Sequence, residues 1–136
     1  MSRAIEDKAK KYLLSKFIDE KYEFIDRTKS DDVGFDLWLI DKKTKRKQKI
    51  ELKATKGEFK RKSDLFQKLY FSASNEVENF KKGKTLIARV FLGNKAPKIF
   101  LISRSILKKG AKFQREFREK IVGQINYDNS FEELGI

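Results

Sequence analysis

The stretch GFDLWLID (residues 34–41), the basic run KKTKRK after it (42–47) and the segment QKIELKATK (48–56) together decide how this chain folds. Residues 34–41 are apolar at almost every position, which predicts a central strand covered on both faces. Residues 48–56 alternate, so that Ile50, Leu52 and Ala54 point to one face and Glu51, Lys53 and Thr55 to the other. The basic run has the length of a hairpin connection, and the two strands are therefore expected to pair antiparallel.

Toward the N-terminus, residues 22–26 alternate apolar and acidic side chains as a short half-exposed strand does, and 28–33 are polar turn material. Before them, Ile5, Ala9, Tyr12, Leu13, Phe17 and Ile18 fall near helical spacing, with charged residues on the other side. This predicts an amphipathic helix over 4–21 with Ser2 as its N-cap. Toward the C-terminus, 57–68 read as a polar, basic, mobile loop and 69–72 as extended chain. A short helix over 76–82, capped by Ser74 or Asn75, is expected to end at Gly83. Strands follow at 85–92 and 98–102, joined by the turn residues 93–97. Phe113, Phe117 and Ile121 are four apart and argue for a helical tail, against Gly110, Gly123 and the late NYDNS segment. The expected architecture is one mixed α/β domain over 1–136, a central mixed sheet flanked by helices, with its core at about 4–102 and a helical tail over 103–136.

The 136 residues are enough to bury a core without metals or bridges to staple it. Apolar residues make up 39% of the chain, which argues against global disorder even though as many are charged. Lys and Arg exceed Asp and Glu by 33 to 20, and a net charge of +13 on so small a domain attracts a polyanion, nucleic acid first among them. A lysine-rich surface kept for solubility is the bland alternative. There is no Cys, which excludes disulfides, zinc ribbons and thiol nucleophiles and makes a reducing, cytoplasmic location the simplest expectation. There is no His either, which removes imidazole bases and histidine-bound metals. Any catalysis must use carboxylates, Lys, Tyr, Ser or a hard metal held by oxygen. The N-terminus lacks the apolar region of a signal peptide, and no stretch is long enough to cross a bilayer, so no membrane partner is expected.

Asp36 then stands out, because its neighbours are Phe35, Leu37, Trp38, Leu39 and Ile40. A carboxylate there needs a cation, a set of donors or an open end of the sheet. Glu51 and Lys53 share the polar side of the strand expected to pair with it, so Asp36 and Glu51 can approach within a few ångströms. Two carboxylates that close either raise one pKa or recruit a divalent cation, and oxygen ligands suit Mg²⁺ or Mn²⁺. A metal so held, with the Lys53 ammonium beside it, has the parts for phosphodiester hydrolysis. The plain alternative is a solvated strand face with a weak salt bridge.

Asp36 followed by Glu51-Leu52-Lys53 resembles the PD-(D/E)XK signature of restriction-endonuclease-like nucleases. The chain is closer still to the small nuclease-like domain of the "NO VEIN" C-terminal type. That family's segments correspond here to Glu6 with Ala9, Gly34-Phe35-Asp36, Ile50-Glu51-Leu52-Lys53 and the run from Ser72 to Glu76. Phe35 stands where the wider superfamily often has Pro. The resemblance implies a restriction-endonuclease-like fold and a Mg²⁺-dependent endonuclease acting on nucleic acid, DNA first. Asp36 and Glu51 would be metal ligands, Lys53 the catalytic lysine, Glu6 a helix-borne carboxylate near the metal, and Glu76 an accessory residue. Homodimerisation is implied by the same likeness. The competing reading is a nucleic-acid-binding module on this fold with weak or lost activity.

Lys45, Arg46 and Lys47 in one basic segment, and Lys56, Lys60, Arg61 and Lys62 in another, are the expected phosphate contacts. Phe59, Phe66 and Tyr70 lie among or beside them, either to stack on unpaired bases or to tuck into the core. Gly83-Lys84-Thr85 has the ending of a phosphate-binding loop, but Glu78 stands where its first Gly belongs.

Overall fold

The computed structural model describes residues 3–15, 18–28, 30, 34–109, 111–115, 119–122 and 131–135. Ser2, Phe17, Gly110, Phe117 and Gly123, each used in the sequence reading, lie outside them.

Helix α1 (Arg3–Ser15) buries Ala9 and Leu13 on one stripe. It is shorter than the periodicity predicts. Asp19 accounts for this, because its carboxylate accepts the Lys21 N–H at 2.8 Å and the Gly135 N–H at 3.0 Å, and such side-chain bonds compete with helical ones. Strands β1 (Tyr22–Asp26), β2 (Leu37–Asp41) and β3 (Lys47–Thr55) form an antiparallel meander, in which the β2–β3 pairing is the expected one. After β4 (Tyr70–Phe71) and helix α2 (Ser74–Lys81), β5 (Thr85–Phe91) runs parallel to β3. Strand β6 (Lys98–Ile102) returns antiparallel beside β5. Strand β9 (Phe131–Leu134) closes the sheet, in the order β1-β2-β3-β5-β6-β9.

The fold is thus single-domain mixed α/β, with two cores. On one face, Ile50, Leu52 and Ala54 of β3 pack with Leu37, Leu39, Val90 and the α1 stripe. On the other, Ile87 and Phe100 pack with Phe71, Phe80 and Leu65. This second face is covered by α2 and by a small sheet ordered β4-β8-β7, where β7 is Lys112–Arg115 and β8 is Glu119–Val122.

Four further expectations change. Strand β2 is covered on one face only, with Leu37 and Leu39 buried and Trp38 and Ile40 half-buried, because it lies one strand in from the edge and packs against the α1 side alone. The segment 57–68 is not a free loop. It forms a 3₁₀ turn at Lys62–Phe66, whose Leu65 and Phe66 enter the second core. Helix α2 begins at Ser74 with Ala73 in the capping position and no side-chain cap. Among its described residues, the tail is not helical beyond a 3₁₀ turn at Arg104–Lys109. It forms β7, β8 and β9, because Phe113 and Ile121 pair across two strands and do not stack along one helix. Among the described residues, no helix is long and apolar enough to cross a membrane.

Candidate active site

The antiparallel register of β2 and β3 places Leu37 across from Ile50, so one step further places Asp36 across from Glu51. Gly34, at φ +98°, brings the chain into this position, in a conformation that side chains with a Cβ rarely adopt. The Asp36 N–H still makes a ladder bond, donating to the Ile50 carbonyl at 2.8 Å. The next bond is different, since the Leu52 N–H donates to Asp36 Oδ2 at 2.7 Å. A carboxylate has taken the place of a backbone carbonyl where the hairpin opens.

Glu51 is only 8% exposed. Burial first, then a hydrogen bond with Asp36 and the negative charge of Asp36, push its carboxyl up to about 10, while the Lys53 ammonium pulls weakly the other way. At neutral pH Glu51 therefore keeps its proton and donates it toward Asp36. This is one of the two responses open to close carboxyl groups.

Lys53, two residues on along the same face, is buried at 4% exposure, and its Nζ lies 2.8 Å from Glu76 Oε1. Glu76 stands in the first turn of α2, and its second oxygen accepts from Ser72 Oγ at 2.8 Å. Ser72 thus fixes Glu76, and Glu76 fixes the Lys53 ammonium, which also lies 5.1 Å from the centre of the Phe71 ring. Glu6, half-buried on α1, has its carboxyl raised mainly by burial. Lys53 opposes that shift, and Asp36 and Glu76 add to it. All five expected site residues therefore share one electrostatic neighbourhood.

They are not all gathered around one point. Among the described residues, no group of three or more Asp or Glu side chains is placed to hold a metal ion. The expected trio of Asp36, Glu51 and Glu6 does not close into a cage. Asp36 and Glu51 form a pair, and a Mg²⁺ ion tolerates two protein carboxylates with water and phosphate filling its other positions.

The basic residues divide. Lys45 and Arg46 sit at the β2–β3 turn, roughly 20 Å or more from Lys53 at about 3.3 Å per strand residue. Lys56 follows the end of β3 and lines a cavity of about 630 Å³ together with Thr55, Lys68, Tyr70 and Phe91. Lys60, Arg61 and Lys62 are exposed around the 3₁₀ turn, with the Lys60 and Arg61 N–H groups donating to Asp64 Oδ2 at 2.8 and 3.1 Å. Phe66 is buried, and Phe59 packs with ring centres 4.5 Å from Phe100, so neither is a free stacking surface. Thr85 is buried in β5, which leaves no phosphate loop at Gly83-Lys84-Thr85.

Arg89 was missed by the sequence reading. It is the register partner of Lys53 on β5, and its guanidinium donates to the Lys53 carbonyl at 3.4 Å. Its signal was a single charge inside TLIARVF, the same kind of signal that singled out Asp36.

The raised Glu51 pKa makes stability depend on pH. Unfolded, this carboxyl releases its proton near its ordinary value of 4.5; folded, it holds the proton to about 10, so folding takes up a proton between these limits. The contribution is complete below pH 4.5 and is lost as pH rises toward and through 10. Without added metal, the wild type should thus lose stability between pH 5 and 9, by more than a Glu51→Gln variant does, in urea melts across that range. Parallel profiles would contradict a protonated Glu51.

Set against protein-family models, curated proteins and solved structures, the chain matches none of them.

Proposed function

We propose that this chain is a divalent-metal-dependent nuclease on a restriction-endonuclease-like version of its α/β sheet, acting on nucleic acid, with DNA as the first substrate to test. The observation that carries the reading is the placing of Asp36 across from Glu51 on paired strands, beside a buried lysine that Glu76 holds in place. Two carboxyl groups held this close favour a cation between them. The donor set, all oxygen, suits Mg²⁺ or Mn²⁺, which Asp36 and Glu51 would hold. When bound, such an ion supplies Lewis acidity and a water of lowered pKa.

The chain's own residues do the rest. Asp36 is oriented by the Leu52 N–H and Glu51 by burial, so both ligands are set before substrate arrives. Lys53 places a positive group beside them, aimed by Glu76, where it can orient a water and offset charge that develops on the phosphate oxygens. Glu6, raised mainly by burial and in the same electrostatic neighbourhood, would be a helix-borne carboxylate near the metal. Lys56 and the exposed cations at 60–62 supply contacts to the phosphate backbone, which position a substrate without reading its sequence.

The test is cleavage of labelled linear duplex, single-stranded and branched DNA and of RNA, in Mg²⁺, Mn²⁺ or EDTA. Cleavage that requires the metal is expected, together with release of about one proton per ion bound near pH 7, read with an indicator dye in weak buffer. No cleavage on any substrate, with nucleic-acid binding indifferent to metal, would leave a binding module and sink the enzyme.

A further inference from the structure

The cavity of about 630 Å³ lies at the carboxyl ends of β3 and β5, a parallel pair, since Thr55 and Phe91 end those strands and both line it. The carboxyl ends of parallel strands are where open α/β sheets bind ligands, and the volume is that of a small-molecule site, about 300–1,000 Å³. Ile5 and Ala54 also line it. They are the chain neighbours of Glu6 and Lys53, so the cavity borders the candidate active site without containing its carboxylates.

Its wall carries the cations Lys56, Lys68 and Arg89 and the carboxylates Glu58 and Asp64. Both carboxylates are engaged elsewhere. Glu58 lies 3.6 Å from Lys60 Nζ, and Asp64 Oδ2 accepts the Lys60 and Arg61 N–H groups at 2.8 and 3.1 Å. The three cations have no carboxylate partner among the described residues. Arg89 is wholly buried and donates to three backbone carbonyls, so its charge is oriented but not neutralised. Lys68 adds an independent sign. Its φ is +55°, a value that among the described residues only Lys45, in the β2–β3 turn, approaches with a side chain. Such a conformation costs energy for a residue with a Cβ and little for glycine. Local folding therefore favours glycine at 68, and what lysine adds there is an exposed ammonium on the wall of a cavity.

We propose that this cavity binds the phosphomonoester of a nucleotide, with the phosphate on Lys56 and Lys68 in the field of Arg89 and the remainder against the apolar wall of Ile5, Ala54 and Phe91. A phosphomonoester is the occupant because it carries a charge of about −1.5 to −2 at pH 7 and three strong acceptor oxygens, enough to engage two ammonium groups at once. A bridging phosphate within a strand has a single charge. The ligand is a free nucleotide or the terminal phosphate of a strand, which share this chemistry. That a strand seated here by its end would pass Asp36 and Glu51 rests on the nuclease reading, but the site itself does not.

The test is isothermal titration in EDTA with thymidine 5′-monophosphate, thymidine 3′-monophosphate and thymidine. At least one monophosphate should bind saturably at a single site, and thymidine at least about tenfold more weakly, as the loss of charged hydrogen bonds requires. Lys68→Gly removes the ammonium and relieves the backbone, so it should weaken the monophosphate about tenfold while the urea midpoint stays level or rises. Thymidine binding as tightly as its monophosphates, an unaltered affinity in Lys68→Gly, or a lowered midpoint in that variant each overturns the site. Oligo-dT strands with and without a terminal phosphate then identify the source. Tighter binding of the phosphorylated strand, lost in Lys68→Gly, assigns the cavity to strand ends, and strands that bind alike while the monophosphate binds assign it to the free nucleotide. Metal-dependent cleavage without monophosphate binding would sink this proposal alone. Monophosphate binding with no cleavage on any substrate would sink the nuclease and keep the site.

Discussion

Lys53→Ala is expected to slow metal-dependent cleavage by about 10²–10³-fold, the usual effect of removing one preorganised charge from a hydrolytic site. Affinity for the uncut strand should change by less than about threefold, because a lysine exposed by only 4% contributes little to the outer electrostatic surface. The separation of rate from binding is the informative feature, since a group that acts only as charge develops lowers turnover and leaves the ground state alone. Lys53→Arg should recover little. The guanidinium is planar and forked, and the space between Glu76 and the Phe71 ring holds a point charge on a flexible stem. Glu76→Gln gives the complementary result, a smaller loss, because Ser72 still orients the side chain while its charge on Lys53 is gone. Single-turnover rates and anisotropy titrations, on variants whose circular dichroism matches the wild type, separate these outcomes. Equal losses in rate and affinity for Lys53→Ala would mean that Lys53 merely binds substrate.

The largest effect on stability is expected at Arg89. Its side chain is fully buried, with no carboxylate among its hydrogen-bond partners in the described residues: it donates to the carbonyls of Leu65 at 3.1 Å, Lys53 at 3.4 Å and Gln67. Burial alone lowers its pKa to about 10, still above neutrality, so the cation persists. Three carbonyls from two separate segments turn inward to one guanidinium, and it ties the 3₁₀ turn Lys62–Phe66 to the middle of the sheet. Arg89→Ala leaves those carbonyls without their donor and opens a cavity beside Phe91, and should cost about 3–5 kcal/mol, as the loss of a partner from a buried charged network does. Arg89→Met tests the cause, because it nearly restores the volume and supplies no donor. It should remain about 2 kcal/mol or more below wild type, since a buried carbonyl left unpaired costs about 1–3 kcal/mol. Urea unfolding gives both values. An Arg89→Met protein as stable as wild type would show that the guanidinium fills space and bonds nothing of consequence.

Glu51 and Arg89 illustrate two different distances between sequence and structure. The alternation in QKIELKATK puts Glu51 and Lys53 on one face whatever the rest of the chain does, because side chains on a strand have period two. The short basic connector likewise forces antiparallel pairing, which leaves Asp36 across from Glu51. Sequence alone does not tell that this face of β3 would be buried, which turns an ordinary polar pair into a carboxyl with a pKa near 10. Burial depends on α2 and the segment 57–68 folding over the sheet, and those segments are remote in the chain.

The tail shows the limit from the other side. Phe113 and Ile121 satisfy a helical period, yet they face each other across β7 and β8. An apolar pair eight residues apart fits two helical turns or a tight antiparallel pairing equally well, and only the apolar surface of Phe71 and Phe80 beneath selects the second.

By itself, then, the sequence determined the β2–β3 hairpin, the facing of Asp36, Glu51 and Lys53, the amphipathic stripe of α1 and the excess of positive charge, because each follows from local periodicity or composition. Only the tertiary structure decided that Glu76 clamps Lys53, that Arg89 is a buried strut, that burial raises the Glu51 carboxyl and that Trp38 lies half-buried beside Lys47. Each of these depends on which distant segment covers a face of the sheet and which leaves it uncovered, and burial sets the strength of every charge involved.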